Sequence, residues 1–210
     1  MNNLEKHVLE MIGENTSSPD VFLDTDDGLE PIRDSINDGI QELSIMTGAY
    51  KREYILPLRK EQTFYRMEFA QDEFGWITDC WYIQNQWRLR QTDLLRESRE
   101  DPRWMIHTAP PERYMQVGLD IVGFSPRPAD NTVTLSLNCV TIPGPYETST
   151  DRIKLRDNFH WAVVHYAVGE YYAGRGDARE AQNHHSKFLD KLGLQEMYPE
   201  SSENQYRSRS

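Results

Sequence analysis

Four carboxylates spaced four residues apart, Glu30, Asp34, Asp38 and Glu42, form the pattern in this sequence most open to a chemical reading. At about 100° per helical residue they spread over about 120° of one helix face. Ile32, Ile36, Ile40 and Leu43 fall on the opposite face, so acids and apolar residues form two separate stripes. Like charges at this spacing cost about 0.2–0.5 kcal/mol per pair, and only the first acids gain from the helix dipole. A solvated face is the plain reading. The stripe also suits a surface that repels a polyanion or lets it slide past, or one that docks a basic partner. Paired carboxylates of a glycosidase or nuclease are a further possibility. Those sit in clefts among apolar and aromatic groups rather than along an exposed stripe, so no enzyme is expected.

The other reactive residue types form weaker constellations. His160, His165, His184 and His185 fall on two helical runs near the C-terminus, with Glu170 nearby. His160 and His165 are about 140° apart on their helix, a poor arrangement for joint metal ligation. Polar contacts at helix interfaces are the expectation, with no metal and no cofactor. Cys80 and Cys139 lie in strand-like runs with no CxxC or metal-type spacing, and read as buried inert thiols. Aromatics and arginines interleave over Trp81, Trp87, Arg88, Arg90 and Trp104. Stacking faces beside cations suit single-stranded nucleic acid. Asp93, Glu97, Glu100 and Asp101 neutralise the same region, and favour a sheet surface used for subunit or partner contact. P-loop, GxGxxG, GxSxG, HExxH and EF-hand patterns are absent.

Periodicity sets out the elements that carry these residues. Leu4, Val8, Leu9 and Ile12 suggest a short amphipathic helix within an N-terminal arm, residues 1–28, and a polar stretch from Gly13 to Asp20 reads as a linker. Asp27 and Glu30 form a capping pattern with Pro31 in the first turn, opening a helix that Gly48 ends. From 51 to 150 the period becomes two. Strands are expected over Glu53–Leu58, Thr63–Phe69, Trp76–Ile83, Trp87–Gln91, Arg113–Phe124 (broken near Gly118) and Thr132–Val140, with a short helix after Thr92 or Asp93. Asn158–Ala173 is apolar nearly all round, as for a helix sandwiched between partners, and Asp177 caps a last helix, Ala178–Leu192. The expected architecture is α+β. A helical bundle from both chain ends (29–50 plus 151–193) carries an inserted antiparallel β-rich domain, followed by an extended C-terminal tail, 194–210.

Composition limits the partners. The 210 residues carry a net charge of −11, and residues 1–50 alone hold eleven acids against two bases. A pI near 5.0 argues against tight wrapping of nucleic acid. The N-terminus lacks the basic region and apolar run of a secretory signal, and no segment has the roughly 18–20 apolar residues that cross a bilayer. A soluble cytosolic protein, with no membrane partner, is the expectation.

The whole layout resembles the head–tail adaptor (portal adaptor or connector) proteins of tailed bacteriophages, especially short-tailed ones. The resemblance rests on Gly28-Leu29-Glu30-Pro31-Ile32-Arg33 through Met46, then Tyr54-Ile55-Leu56-Pro57-Leu58 and Pro110-Pro111-Glu112-Arg113-Tyr114. It continues with Gly123-Phe124-Ser125-Pro126-Arg127-Pro128 before Asn131-Thr132-Val133-Thr134-Leu135, and with the closing helix pair, covering about residues 27–193. It implies a structural virion protein, made in the host cytoplasm, that forms a ring, typically twelve-fold, beneath the portal of the DNA-filled head. Helices would form the ring wall, the β insertion would meet tail or nozzle proteins or neighbouring subunits, and the C-terminal tail would reach the portal. Tyr198, Tyr206, Arg207 and Arg209 are the natural anchors in that tail. The acidic stripe would line a channel through which genomic DNA passes without being gripped. A tail-tube or stopper component and a virion peptidoglycan hydrolase are the alternative readings.

Overall fold

The computed structural model describes residues 3–13, 26–69, 72–148, 155 and 157–193. The linker beyond Gly13, the Asp27 side chain and the whole 194–210 tail, with Tyr198, Tyr206, Arg207 and Arg209, lie outside the described residues. The chain divides into two compact units, one from residues 1–43 and 145–210, the other from 44–144. With five helices and two sheets among the described residues, the class is α+β.

The first unit is helical. Its elements are α1 (Asn3–Ile12), most of α2 (Asp26–Thr47), α4 (Asp157–Gly174) and α5 (Ala178–Lys191). The stripe of α2 is buried as its spacing predicts, with Ile36 and Leu43 fully covered. The helix starts earlier than the capping pattern suggests, so Pro31 lies inside it rather than at its entry. Past the far end Gly48 takes φ +57° and returns its N–H to the Ser44 carbonyl at 2.9 Å, closing the helix with a left-handed residue.

Helix α4 is contacted from three sides. His7 of α1 meets His160, Gly39 of α2 lies under Tyr166, and Phe188 of α5 packs edge-on against Tyr166. A Cβ at Gly39 would sit 3.0–3.2 Å from Tyr166, so even alanine here would push the Tyr166 side chain back by a few tenths of an ångström. Contacts between α4 and α5 pair Tyr166 with Phe188 and Tyr172 with His184, as antiparallel neighbours do. Asp177 caps α5 by accepting the Glu180 N–H at 3.2 Å, and Gly193 follows its end.

The second unit is a two-sheet sandwich. Its strands are β1 (Lys51–Pro57), β2 (Phe64–Arg66), β3 (Asp72–Tyr82), β4 (Trp87–Arg88), β5 (Arg90–Gln91), β6 (Arg113–Val117), β7 (Ile121–Ser125) and β8 (Thr134–Pro143). One sheet runs β1-β8-β3-β4 and the other β2-β7-β6-β5. Alternate residues of both meet in the core: Leu56, Cys80, Leu135, Leu137 and Cys139 from the first, Tyr65, Tyr114, Val122 and Phe124 from the second. Both cysteines are free and fully buried, and burial pushes the Cys139 thiol up to about 12 and Cys80 higher than its ordinary value.

Three expectations need correction. The insertion is not wholly antiparallel, because β5 pairs parallel with β6. Trp87–Gln91 is not one strand. Trp87 and Arg88 pair with β3, the buried Leu89 carries the chain across the core, and Arg90 and Gln91 join the other sheet. Of Thr63–Phe69 only Phe64–Arg66 forms a strand, since Met67 already donates its N–H to Asp120 in the turn after β6.

Helix α3 (Leu94–Glu100) lies over the outer face of the second sheet. Asp93 caps it through the Arg96 N–H at 2.8 Å. Its buried Glu97 accepts from Ser125 Oγ (2.7 Å), Arg113 Nη1 (2.8 Å) and Thr92 Oγ1 (3.0 Å), tying α3 to β6 and β7.

Candidate assembly surfaces

The acidic stripe stands where its spacing places it. Glu30, Asp34 and Asp38 are exposed and Glu42 is half-buried, on the side of α2 away from Ile32, Ile36, Ile40 and Leu43. None of the four forms a salt bridge with a base among the described residues. The one base of α2, Arg33, turns inward instead. Its Nε donates to Glu5 of α1 at 2.9 Å and its Nη1 to the Glu147 carbonyl at 3.2 Å. The field of the stripe is felt inside the unit: burial first, then Glu170, Asp38 and Glu42, push the Tyr166 hydroxyl above its ordinary value.

Glu30 and Asp34 border a groove of about 370 Å³ with Arg33, Asn37, Pro145, Tyr146 and Glu147. Asn37 clamps the backbone of Tyr146, donating to its carbonyl and accepting its N–H, both at 3.1 Å. A second pocket of about 330 Å³ gathers Glu97, Glu100, Asp101, His107 and Glu112. Burial alone would raise the Glu97 carboxyl, but hydrogen bonds from Ser125, Arg113 and Thr92 outweigh it and hold Glu97 below the usual carboxylate range. A carboxylate kept ionised and fully bonded is a structural anchor and a poor general acid.

The histidines act at helix seams. His7 Nδ1 lies 2.9 Å from His160 Nε2, and His165 Nδ1 lies 3.2 Å from His184 Nδ1, so His160 and His165 serve opposite neighbours. Among the described residues no group of three or more His, Cys, Asp or Glu could hold a metal ion.

The tryptophan–arginine cluster divides. Trp81 and Trp87 are 40% and 38% exposed, Arg88 pairs with Asp79, and Trp81 faces Arg88 across the β3–β4 ladder. Trp87, Arg88 and Arg90 share a shallow pocket of about 270 Å³ with Glu112 and Arg113. Trp104 does not belong to this surface. It is 4% exposed and packs edge-on against Phe64, with its ring N–H directed to Ser98 Oγ. The indole fills the space between the second sheet and the turn after α3, which composition alone does not reveal.

Sequence reasoning missed a further set of exposed apolar side chains: Ile55, Ile83, Leu95, Met105, Ile106 and Leu119. The doublets Leu94-Leu95 and Met105-Ile106 carry a signal, because adjacent residues of a helix or turn over a sheet cannot both point into the core, and here both members of each pair are exposed. Among the described residues no helix is long and apolar enough to cross a membrane.

Unpaired charge on one helix face and apolar groups left bare on a sheet and a helix are the features of a chain built for assembly. Comparison with known proteins agrees in kind. No curated protein matches this chain. The model of the SU10 adaptor protein family matches residues 8–209, nearly the whole sequence, and the chain belongs to that family of phage adaptor proteins.

Proposed function

We propose that this protein is a non-enzymatic head–tail adaptor, assembled as a twelve-fold ring between the portal of the DNA-filled head and the tail. The acidic face of α2 lines the channel, and the 194–210 segment binds the portal through Tyr198, Tyr206, Arg207 and Arg209. The surface that carries Trp81, Trp87, Arg88 and Arg90 is an assembly interface, toward a neighbouring subunit or the tail. The observation that carries the reading is the match to the adaptor family over residues 8–209, joined to an acidic helix face whose four carboxylates have no salt-bridge partner among the described residues. A ring repeats that face around the axis, so DNA phosphates meet like charge on every side and find no place to bind. Packaging and ejection need such a wall. A ring subunit also tolerates exposed apolar groups, because its neighbours cover them.

Co-sedimentation of the full chain with portal rings tests this. The full chain is expected to pellet with the portal, and a chain ending at Gly193 to lose at least tenfold in affinity while its circular dichroism is unchanged. Equal binding by the shortened chain rejects the tail as anchor. A full chain that ignores the portal and binds only tail proteins overturns the adaptor reading in favour of a tail-tube or stopper component.

A further inference from the structure

We propose that copies of this chain join head-to-tail through two different faces of the β unit, the bare outer face of the first sheet receiving the α3 ridge of the next copy. This rests on the ring reading above and adds to it the surfaces that meet. On the outer face of the first sheet, Ile55, Ser136, Trp81 and Arg88 form one cross-strand row over β1, β8, β3 and β4. Ile83 continues beside it, donating its N–H to Thr134. Ile55 is 51% exposed, Trp81 40% and Ile83 43%, so three large apolar side chains stand bare on this face around the small Ser136. The opposite end of the same face is closed, where Trp76 and Gly48 cover Val140.

The other side of the unit is convex. Helix α3 and the turn after it cover the second sheet, fixed by Glu97 and Trp104. Leu95 and Arg99, one turn apart, lie nearly opposite the buried Glu97 and so point outward. Leu95 is 71% exposed and Ile106, in the following turn, 63%. The layers therefore run bare sheet face, first sheet, core, second sheet, α3 ridge, and the two apolar patches sit on opposite sides of one unit. A two-fold dimer needs one self-complementary patch, whereas a ring needs two different patches that fit each other.

Charge favours the same pairing. Arg99 and Arg103, beside Leu95 and Ile106, have no ion-pair partner among the described residues. On the sheet face, Arg88 is neutralised by Asp79, and Glu53 accepts only the Ser136 hydroxyl, leaving a carboxylate for an incoming guanidinium. Lys51 is also unpaired but stands at the closed end of the strand, beside Val140. The occupant that fits the flat patch is thus an aliphatic ridge flanked by arginine, which this chain itself presents.

Cysteine cross-linking of the full chain tests the contact, since Cys80 and Cys139 are fully buried and do not compete. A chain carrying both Ile83→Cys and Leu95→Cys is expected to oxidise to a ladder of covalent multimers. Either single variant alone gives none, and mixing the two singles gives linked pairs. A single variant that links to itself overturns the head-to-tail geometry. Native mass spectrometry with and without portal rings separates the failures: a ring without a ladder refutes this contact and leaves the ring reading standing, whereas absence of any ring overturns both. As an independent arm, Glu53→Arg and Arg99→Glu are each expected to weaken assembly at least tenfold and together to restore it; no rescue counts against the charge pairing.

Discussion

Replacing Arg33 by alanine is expected to destabilise the helical unit by about 3–5 kcal/mol, because it breaks a buried ion pair that ties α2 to α1. Glu5 is completely covered, and Arg33 reaches it from α2 at 2.9 Å with little more exposure of its own. A double variant, Arg33→Met with Glu5→Leu, removes both charges and should recover much of the loss. Urea denaturation followed by circular dichroism reads both effects. A loss below about 1 kcal/mol for Arg33→Ala would mean that water reaches Glu5, at odds with its burial.

In the β unit the largest polar effect is assigned to Glu97→Ala, at about 3 kcal/mol. The change strands the buried hydroxyl of Ser125 and the hydroxyl of Thr92, and leaves Arg113 only its exposed contact with Glu100. It also detaches α3 from the sheet. The pH dependence has a definite sign. Glu97 titrates below its ordinary value in the folded state, so its contribution is complete above the unfolded carboxyl pKa of about 4.3. It fades as the pH falls through the lower folded value. The stability gap between the native chain and Glu97→Ala should therefore narrow on acidification below about pH 4. A gap that widens in acid would show that Glu97 is protonated in the fold.

Local pattern made some of this readable in advance. The stripes of α2, the α4–α5 pair with its Asp177 cap, and the Val133–Leu135–Leu137–Cys139 face of β8 follow from periods of 3.6 and 2, which are properties of neighbouring residues. The acidic face was visible for the same reason. What escaped depends on distant partners. Leu89 divides two-residue strands between sheets because Cys80 and Glu112 offer hydrogen bonds on either side. Trp104 is buried by Phe64, forty positions away, and Arg33 is committed to Glu5 on a different helix. Ile55 in β1, and Ile83 just past the end of β3, sit at positions that a polar residue would ordinarily fill, and only the two-sheet arrangement shows which side of each strand is bare.

These local and long-range features lead to one account. Arg33 turns inward to Glu5, and in doing so leaves the four carboxylates of α2 as the charged groups of its outer face among the described residues. Glu97 fixes α3 across the second sheet, and so presents Leu95 and Arg99 on a rigid ridge. In both units a buried ionic contact stabilises the fold and also sets what the surface offers to a neighbour.

Electron cryomicroscopy of the full chain bound to portal rings is the most direct test. The account predicts multiple copies around the portal axis, with Glu30, Asp34 and Asp38 of each facing the central channel. A single bound copy, or a ring in which α2 turns its acidic face outward or into a subunit contact, would overturn it.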